Sequence, residues 1–289
     1  MPLLKVACVQ MRSGVDIANN IADASVLITA AARDGARLIA TPEMTNLIDI
    51  RKGMGKSKAF READSPALAA FCALAGELEV WLLIGSLAIA REDGDKLVNR
   101  SYLIAPSGIV SARYDKIHMF DVEVGDGQTY RESAGYAAGT EAVLADTAIG
   151  KIGLSICYDL RFGGLYRKLA QAGAQILTCP AAFTKVTGTA HWHTLLRARA
   201  IETGAFVLAP AQVGLHEDGR ETFGHSLIIS PWGEIIAECR ENEPSVLAAT
   251  LDLDDVEDAR TRIPSLGHDR DFQVQIINCL LYTSPSPRD

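Results

Sequence analysis

Residues 153–162 read "GLSICYDLRF", so Cys157 ends an apolar, β-prone run and is followed at once by a tyrosine, an acid and a base. A thiol in that place is either a small buried hydrophobe or a nucleophile shown at a strand's tip. In α/β proteins, side chains at the carboxyl ends of strands face the crevice where ligands bind. Amides at a tight strand-to-helix turn would also lower the thiol's pKa and hold an oxyanion. A nucleophilic thiol needs a base. His118, His191, His193 and His225 lie near loops or helix starts, which leaves a Cys–His pair open. Glu43 in "TPEMTN" directly follows the strand-like "ARLIA". Its ordinary role would be a solvated loop acid; buried beside a thiol, its pKa would rise and suit proton shuttling. Lys116 in "YDKIHMFDVE" follows the strand "GIVSARYDK". Lysine is usually a surface charge, but in a cleft it would stabilise developing negative charge.

Those residues must be positioned by the elements around them. Alternation in "LKVACVQM" (4–11) predicts a strand, and "IANNIADASVLITAAARDG" (17–35) a helix with a Gly stop. "SPALAAFCALAGELE" (65–79) opens with a Ser cap and a Pro at the first helical position. "VWLLIGSLAIA" (80–90) and "NRSYLIAPSG" (99–108) read as neighbouring strands, with Asp-Gly hairpin chemistry between them. Further on, "KIGLSIC" (151–157), "AQILTCPAAF" (174–183), "AFVLAPAQ" (205–212), "GHSLIISPWG" (224–233) and "SVLAATLDL" (245–253) read as strands. Helices are predicted at "GGLYRKLAQAG" (163–173) and "AHWHTLLRARAIETG" (190–204). Such mixing predicts an α/β layered domain.

The chain has 289 residues, 48% of them hydrophobic, which is enough for one large core. Its formal charge of −8 and the lack of a basic block exclude a nucleic-acid footprint. The longest apolar run is too short to span a bilayer, and the N-terminus lacks a secretory pattern. Six scattered cysteines without a CxxC pair favour free thiols in a reducing cytosol over a disulfide framework or a zinc site. The expectation is a cytoplasmic protein without a membrane partner. Residues 273–289, ending in "CLLYTSPSPRD", show no core face and are read as a disordered tail of partly foreign sequence.

"TPEMTN", then "YDKIHMFDVE…YRES", then "GLSICYDLRF" occur in an order that resembles the nitrilase superfamily of carbon–nitrogen hydrolases. The likeness runs from about Leu4 to Phe272, read as a single domain over 1–272. "AHWHTLLRARAIETGAFVLAPAQ" and "TFGHSLIISPWGEIIAE" resemble its Nit branch of small-amide hydrolases, which act on deaminated glutathione or ω-amides. The resemblance implies a four-layer α-β-β-α sandwich and a homodimer or larger even assembly. It implies that Cys157 attacks an amide carbonyl, that Glu43 moves the proton, and that Lys116 and the Tyr158 N–H hold the oxyanion. Glu132 in "YRES" matches a second glutamate of the family; Glu123 is expected in a loop or structural role. No metal or cofactor is implied.

The expected substrate is deaminated glutathione or a close analogue. The alternatives are an ω-amidase on 2-oxoglutaramate or 2-oxosuccinamate, or a non-catalytic assembly module on the same fold. A carboxylated substrate needs a cation, for which Arg161 is the nearest candidate in sequence; an ion pair with Asp159 or another acid is its other reading. Tyr130 and Phe183 are candidate pocket walls, as are the loops 44–60 and 120–140. The "RARAIE" segment (197–202) is expected to pack a helix, with Arg197 or Arg199 in structural salt bridges. The family commonly reads R-F-P-E where this chain has "RFGG", which should loosen the helix that starts there.

Overall fold

The computed structural model describes residues 3–49, 51, 53–92, 94–125, 127 and 129–277. The last twelve residues of the expected tail, Cys279 among them, lie outside the described residues.

Period-two burial builds the first sheet. Its strands are β1 (Leu4–Gln10), β2 (Leu38–Ala40), β3 (Trp81–Ala90), β4 (Leu97–Ile104) and β5 (Val110–Asp115). Ala7 and Val9 of β1, Ile39 of β2, Leu82 and Ile84 of β3, and Tyr102 of β4 pack toward one side. Helices α1 (Ile17–Arg33) and α2 (Pro66–Leu78) cover that side with Ala24, Ile28 and Phe71. The alternate residues Val6, Cys8, Leu38, Ala40, Leu83 and Leu103 join a different core. That core lies against the second sheet.

The second sheet holds β6 (Leu144–Thr147), β7 (Gly150–Gly153), β8 (Ile176–Thr178), β9 (Phe206–Ala209), β10 (Leu227–Ile229) and β11 (Ile235–Glu238), in the order β11-β10-β9-β8-β7-β6. Helices α3 (Gly163–Gln171) and α4 (Lys185–Thr203) contribute Leu165, Tyr166, Trp192 and Leu196 to the same core. The chain then returns as β12 (Ser245–Leu251), antiparallel to β1, and ends its regular structure in α5 (Asp254–Arg262). The first sheet therefore runs β12-β1-β2-β3-β4-β5, with Phe60–Arg61 paired to β3. Helices outside and two sheets inside make an α-β-β-α sandwich.

Parallel neighbours β1, β2 and β3 end their carboxyl termini on one side, as do β7, β8 and β9. Site residues follow those ends. Gly85, at an irregularity in the β3–β4 pairing, lets the two sheets close there. A Cβ at that position would collide with the Thr41 carbonyl and the Pro180 ring.

Two segments depart from the sequence reading. The strand expected at 151–157 keeps ladder bonds only through Gly153, and Cys157 turns out of the sheet with φ +47°. The helix expected from 190 begins at Lys185, because the Thr184 side chain caps it by accepting from the Thr187 N–H. Among the described residues, no helix is long and apolar enough to cross a membrane.

Candidate active site

Glu43 leaves the end of β2 and points between the sheets, where the residue is only 4% exposed. Its Oε1 accepts from Lys116 Nζ at 2.8 Å and from Asn99 Nδ2 at 2.8 Å. Its Oε2 accepts from the Ala182 N–H at 2.9 Å, which ties it to the segment after β8. Lys116 follows β5 and is 2% exposed. Its ammonium also donates to both oxygens of Glu132, at 3.0 and 2.9 Å. Glu132 is steadied in turn by the Phe120 N–H at 2.7 Å.

Cys157 completes the group. Its left-handed backbone places the residue at the start of a 3₁₀ turn, Cys157–Arg161, with its own N–H given to the Pro180 carbonyl at 2.9 Å. The thiol lies close enough to Glu43 and Lys116 for the charge of each to act on it. The buried Asp159 carboxylate builds this turn, accepting from the Ile156 N–H at 2.8 Å and the Tyr114 hydroxyl at 2.7 Å. The Tyr158 N–H falls in the first turn of that short helix, where backbone donors have no helical partner.

The electrostatics reverse two expectations. Burial would push the Glu43 carboxyl up, but the adjacent Lys116 ammonium and the bonds from Lys116, Cys157 and Ala182 hold it below the usual carboxylate range. The Cys157 thiol goes up instead of down, first by burial and then by the Glu43 charge, against the pull of Lys116. Burial disfavours a charged Lys116, yet Glu132 and Glu43 together raise it well above its ordinary value. The resting state is a thiol beside a carboxylate and an ammonium. That arrangement can take a proton from sulfur as the sulfur attacks.

The surroundings sort the other candidates. Phe183 is buried against Trp192, ring centroids 5.0 Å apart, and lies under the Arg161 guanidinium at 5.4 Å. Arg161 also reaches His191 Nδ1 at 3.3 Å and, among the described residues, makes no ion pair. The pairing with Asp159 does not form, because Asp159 is committed to Ile156, Tyr114 and His118. Tyr130 sits on a hairpin, Asp121–Glu123 with Thr129–Arg131, and packs on Phe120, which itself stacks edgewise on Tyr158. Phe120, which Tyr130 packs on, thus lies against the cysteine turn. Glu123 is on the outside of that hairpin, paired with Arg131 at 2.9 Å. Arg199 pairs with Glu202 at 2.7 Å, whereas Arg197 donates to the Gly233 carbonyl. None of His118, His191, His193 and His225 has Cys157 as a hydrogen-bond partner among the described residues.

Asn99 escaped the sequence reading. It sits in β4, fully buried, and gives its amide to Glu43 at 2.8 Å and to Glu132 at 3.2 Å. The available signal was a polar amide of low β-propensity inside the otherwise strand-like "LVNRSYLI".

This fold and this cluster fit a carbon–nitrogen hydrolase. The carbon–nitrogen hydrolase family model matches residues 5–261, and the chain belongs to that family. It is an enzyme that hydrolyses the carbon–nitrogen bond of amides. The chain is 42% identical over 267 residues to the deaminated glutathione amidase of Synechocystis, covering 91% of this chain and 96% of that one. It is 40% identical to the deaminated glutathione amidase of Yersinia enterocolitica, covering 92% of each. Among solved structures, yeast Nit3 superposes with a TM-score of 0.82 at 28% identity, over 91% of this chain and 94% of that one. The Caenorhabditis elegans NitFhit protein gives 0.85 at 35% identity, over 93% of this chain but 65% of that longer one.

Proposed function

We propose that this enzyme hydrolyses the amide that joins the deaminated glutamyl part of deaminated glutathione to its cysteine, or the corresponding amide of a close carboxylated analogue, through a thioester on Cys157. Glu43 takes the thiol proton as sulfur attacks the amide carbonyl. Lys116 and the Tyr158 N–H hold the tetrahedral oxyanion. Collapse breaks the C–N bond, and Glu43 passes its proton to the departing amine. Water, deprotonated by Glu43, then attacks the thioester; the carboxylic acid leaves and the thiol is restored. Glu132 keeps the ammonium in place, and Arg161, with Tyr130 and Phe183, meets the carboxylated part of the substrate.

One observation carries this reading. Glu43, buried between the sheets beside the Cys157 thiol, accepts from Lys116 Nζ at 2.8 Å. The substrate assignment draws on relatives that bear the name deaminated glutathione amidase at 38–42% identity. We also take 1–272 as a single domain, the assembly as an even homo-oligomer with a dimer as its unit, and the compartment as the cytoplasm. Purified protein incubated with deaminated glutathione should release 2-oxoglutarate and cysteinylglycine, and Cys157→Ala should not. Ammonia release from 2-oxoglutaramate with a higher kcat/KM would move the assignment to an ω-amidase. Hydrolysis of neither would reject it.

A further inference from the structure

His193 lies on α4, His225 precedes β10, and Glu238 ends β11. The three are far apart in sequence, yet their candidate ligand atoms all fall within 4.8 Å of one another. Both imidazoles reach one carboxylate oxygen: His193 Nε2 at 2.9 Å and His225 Nδ1 at 2.8 Å from Glu238 Oε1. The catalytic cluster uses none of them.

We propose that His193, His225 and Glu238 form a binding site for a borderline divalent cation of the zinc class, outside the catalytic centre. Two imidazoles and a carboxylate are a donor set suited to such ions, with a water filling the fourth position. Tetrahedral zinc with bonds of about 2.0–2.1 Å sets its ligand atoms about 3.4 Å apart. The carboxylate oxygen must therefore draw back by about half an ångström, and the two nitrogens close by less than about 1.5 Å.

The frame for this movement is already fixed. The His225 ring stacks on Phe223 with centroids 4.3 Å apart, and its carbonyl accepts from Trp192 Nε1 at 2.8 Å. His193 sits next to Trp192 on α4, its ring edge-on to Phe223. Both histidine side chains are about a third exposed, so a water ligand and the ion have access. The Glu238 carboxylate is tied to His193, His225 and Arg240 together. Arg240 is the competitor: its Nε meets Glu238 Oε2 at 3.1 Å from a side chain that is 80% exposed.

The position gives the ion a structural consequence. Two-sided packing links it to Phe183, which the proposed function makes a substrate wall: Trp192 packs on Phe183, and the Phe223 N–H donates to the Phe183 carbonyl at 2.9 Å. A bound cation would clamp α4 to the β10–β11 hairpin behind that wall.

The test is a calorimetric titration of zinc chloride into the full chain carrying Cys157→Ala, which removes the site thiol as a competing ligand. One equivalent should bind with micromolar affinity. His193→Ala and Glu238→Gln should each weaken it at least tenfold, and Arg240→Ala should tighten it. Circular dichroism of the metal-free variants checks folding; should His193→Ala fail to fold, Glu238→Gln decides the matter. Absence of a one-to-one isotherm, or an isotherm unchanged in Glu238→Gln, overturns the proposal.

Discussion

Asn99 donates to Glu43 Oε1 over 2.8 Å, on the same oxygen that receives Lys116. Its second contact, to Glu132 at 3.2 Å, makes one neutral amide the bridge between two carboxylates. Asn99→Ala removes buried hydrogen bonds to charged groups, each worth about 1.5–3 kcal/mol. We expect kcat to fall about 10- to 100-fold with little change in KM, and Asn99→Asp to fall further because it adds a third carboxylate. Steady-state hydrolysis of deaminated glutathione, followed as 2-oxoglutarate formed, measures both. A rise in KM alone would contradict the positioning role.

Lys116 neutralises two carboxylates in a place nearly closed to water. Lys116→Met leaves them facing each other unpaired. Breaking a buried pair on one side costs about 3–5 kcal/mol. Thermal unfolding should show a large drop in Tm, partly recovered by adding Glu132→Gln. An unchanged Tm would mean that water reaches the pair.

The pH dependence follows from three directions. Glu43 is lowered in the folded state, so its contribution is present above the ordinary carboxylate value of about 4.3 and is lost as pH falls through the lower folded one. Lys116 is raised, so its contribution is present below about 10.4 and lost as pH rises through the folded value. The Cys157 thiol is raised too, and its loss begins near the unfolded thiol value of about 8.5. Urea unfolding at stepped pH should give a plateau between these limits. Cys157→Ala should move the alkaline edge upward, and an edge that stays put would count against a buried thiol.

Arg161 spans the rings of Tyr158 and Phe183 without a carboxylate partner among the described residues. Arg161→Ala should raise KM for a carboxylated amide about 10- to 100-fold, the value of one charge-assisted bond. A neutral amide of equal length should show no such rise. Equal losses on both substrates would assign Arg161 to packing.

Helix α3 starts with Gly163 and Gly164 and has no acid in its first turn. An added Cβ at Gly164 meets nothing within 4 Å. Gly164→Glu should therefore stabilise through helix propensity and the dipole, by about 0.5–1.5 kcal/mol. Differential scanning calorimetry should register a Tm higher by about 1–5 °C. A fall would reveal a clash that the open space does not suggest.

Much of the architecture was legible in the sequence because burial imprints its period locally. The apolar run of β1 and the Ser65 cap of α2 were readable locally, although only the fold sends Val6 and Cys8 to one core and Ala7 and Val9 to another. The order and strand-end positions of Glu43, Lys116 and Cys157 were likewise readable. Their charge states were not. Glu43 is lowered and not raised because an ammonium 73 residues away lands 2.8 Å from it, and no local pattern encodes that meeting. Arg161 misses Asp159 for the same reason: three other donors from the fold claim the acid first. Asn99 and the His193–His225–Glu238 group also depend on which strands and helices become neighbours. Periodicity is settled by each element's own two faces, whereas the energy of a buried charge is settled by whatever the sheets bring beside it.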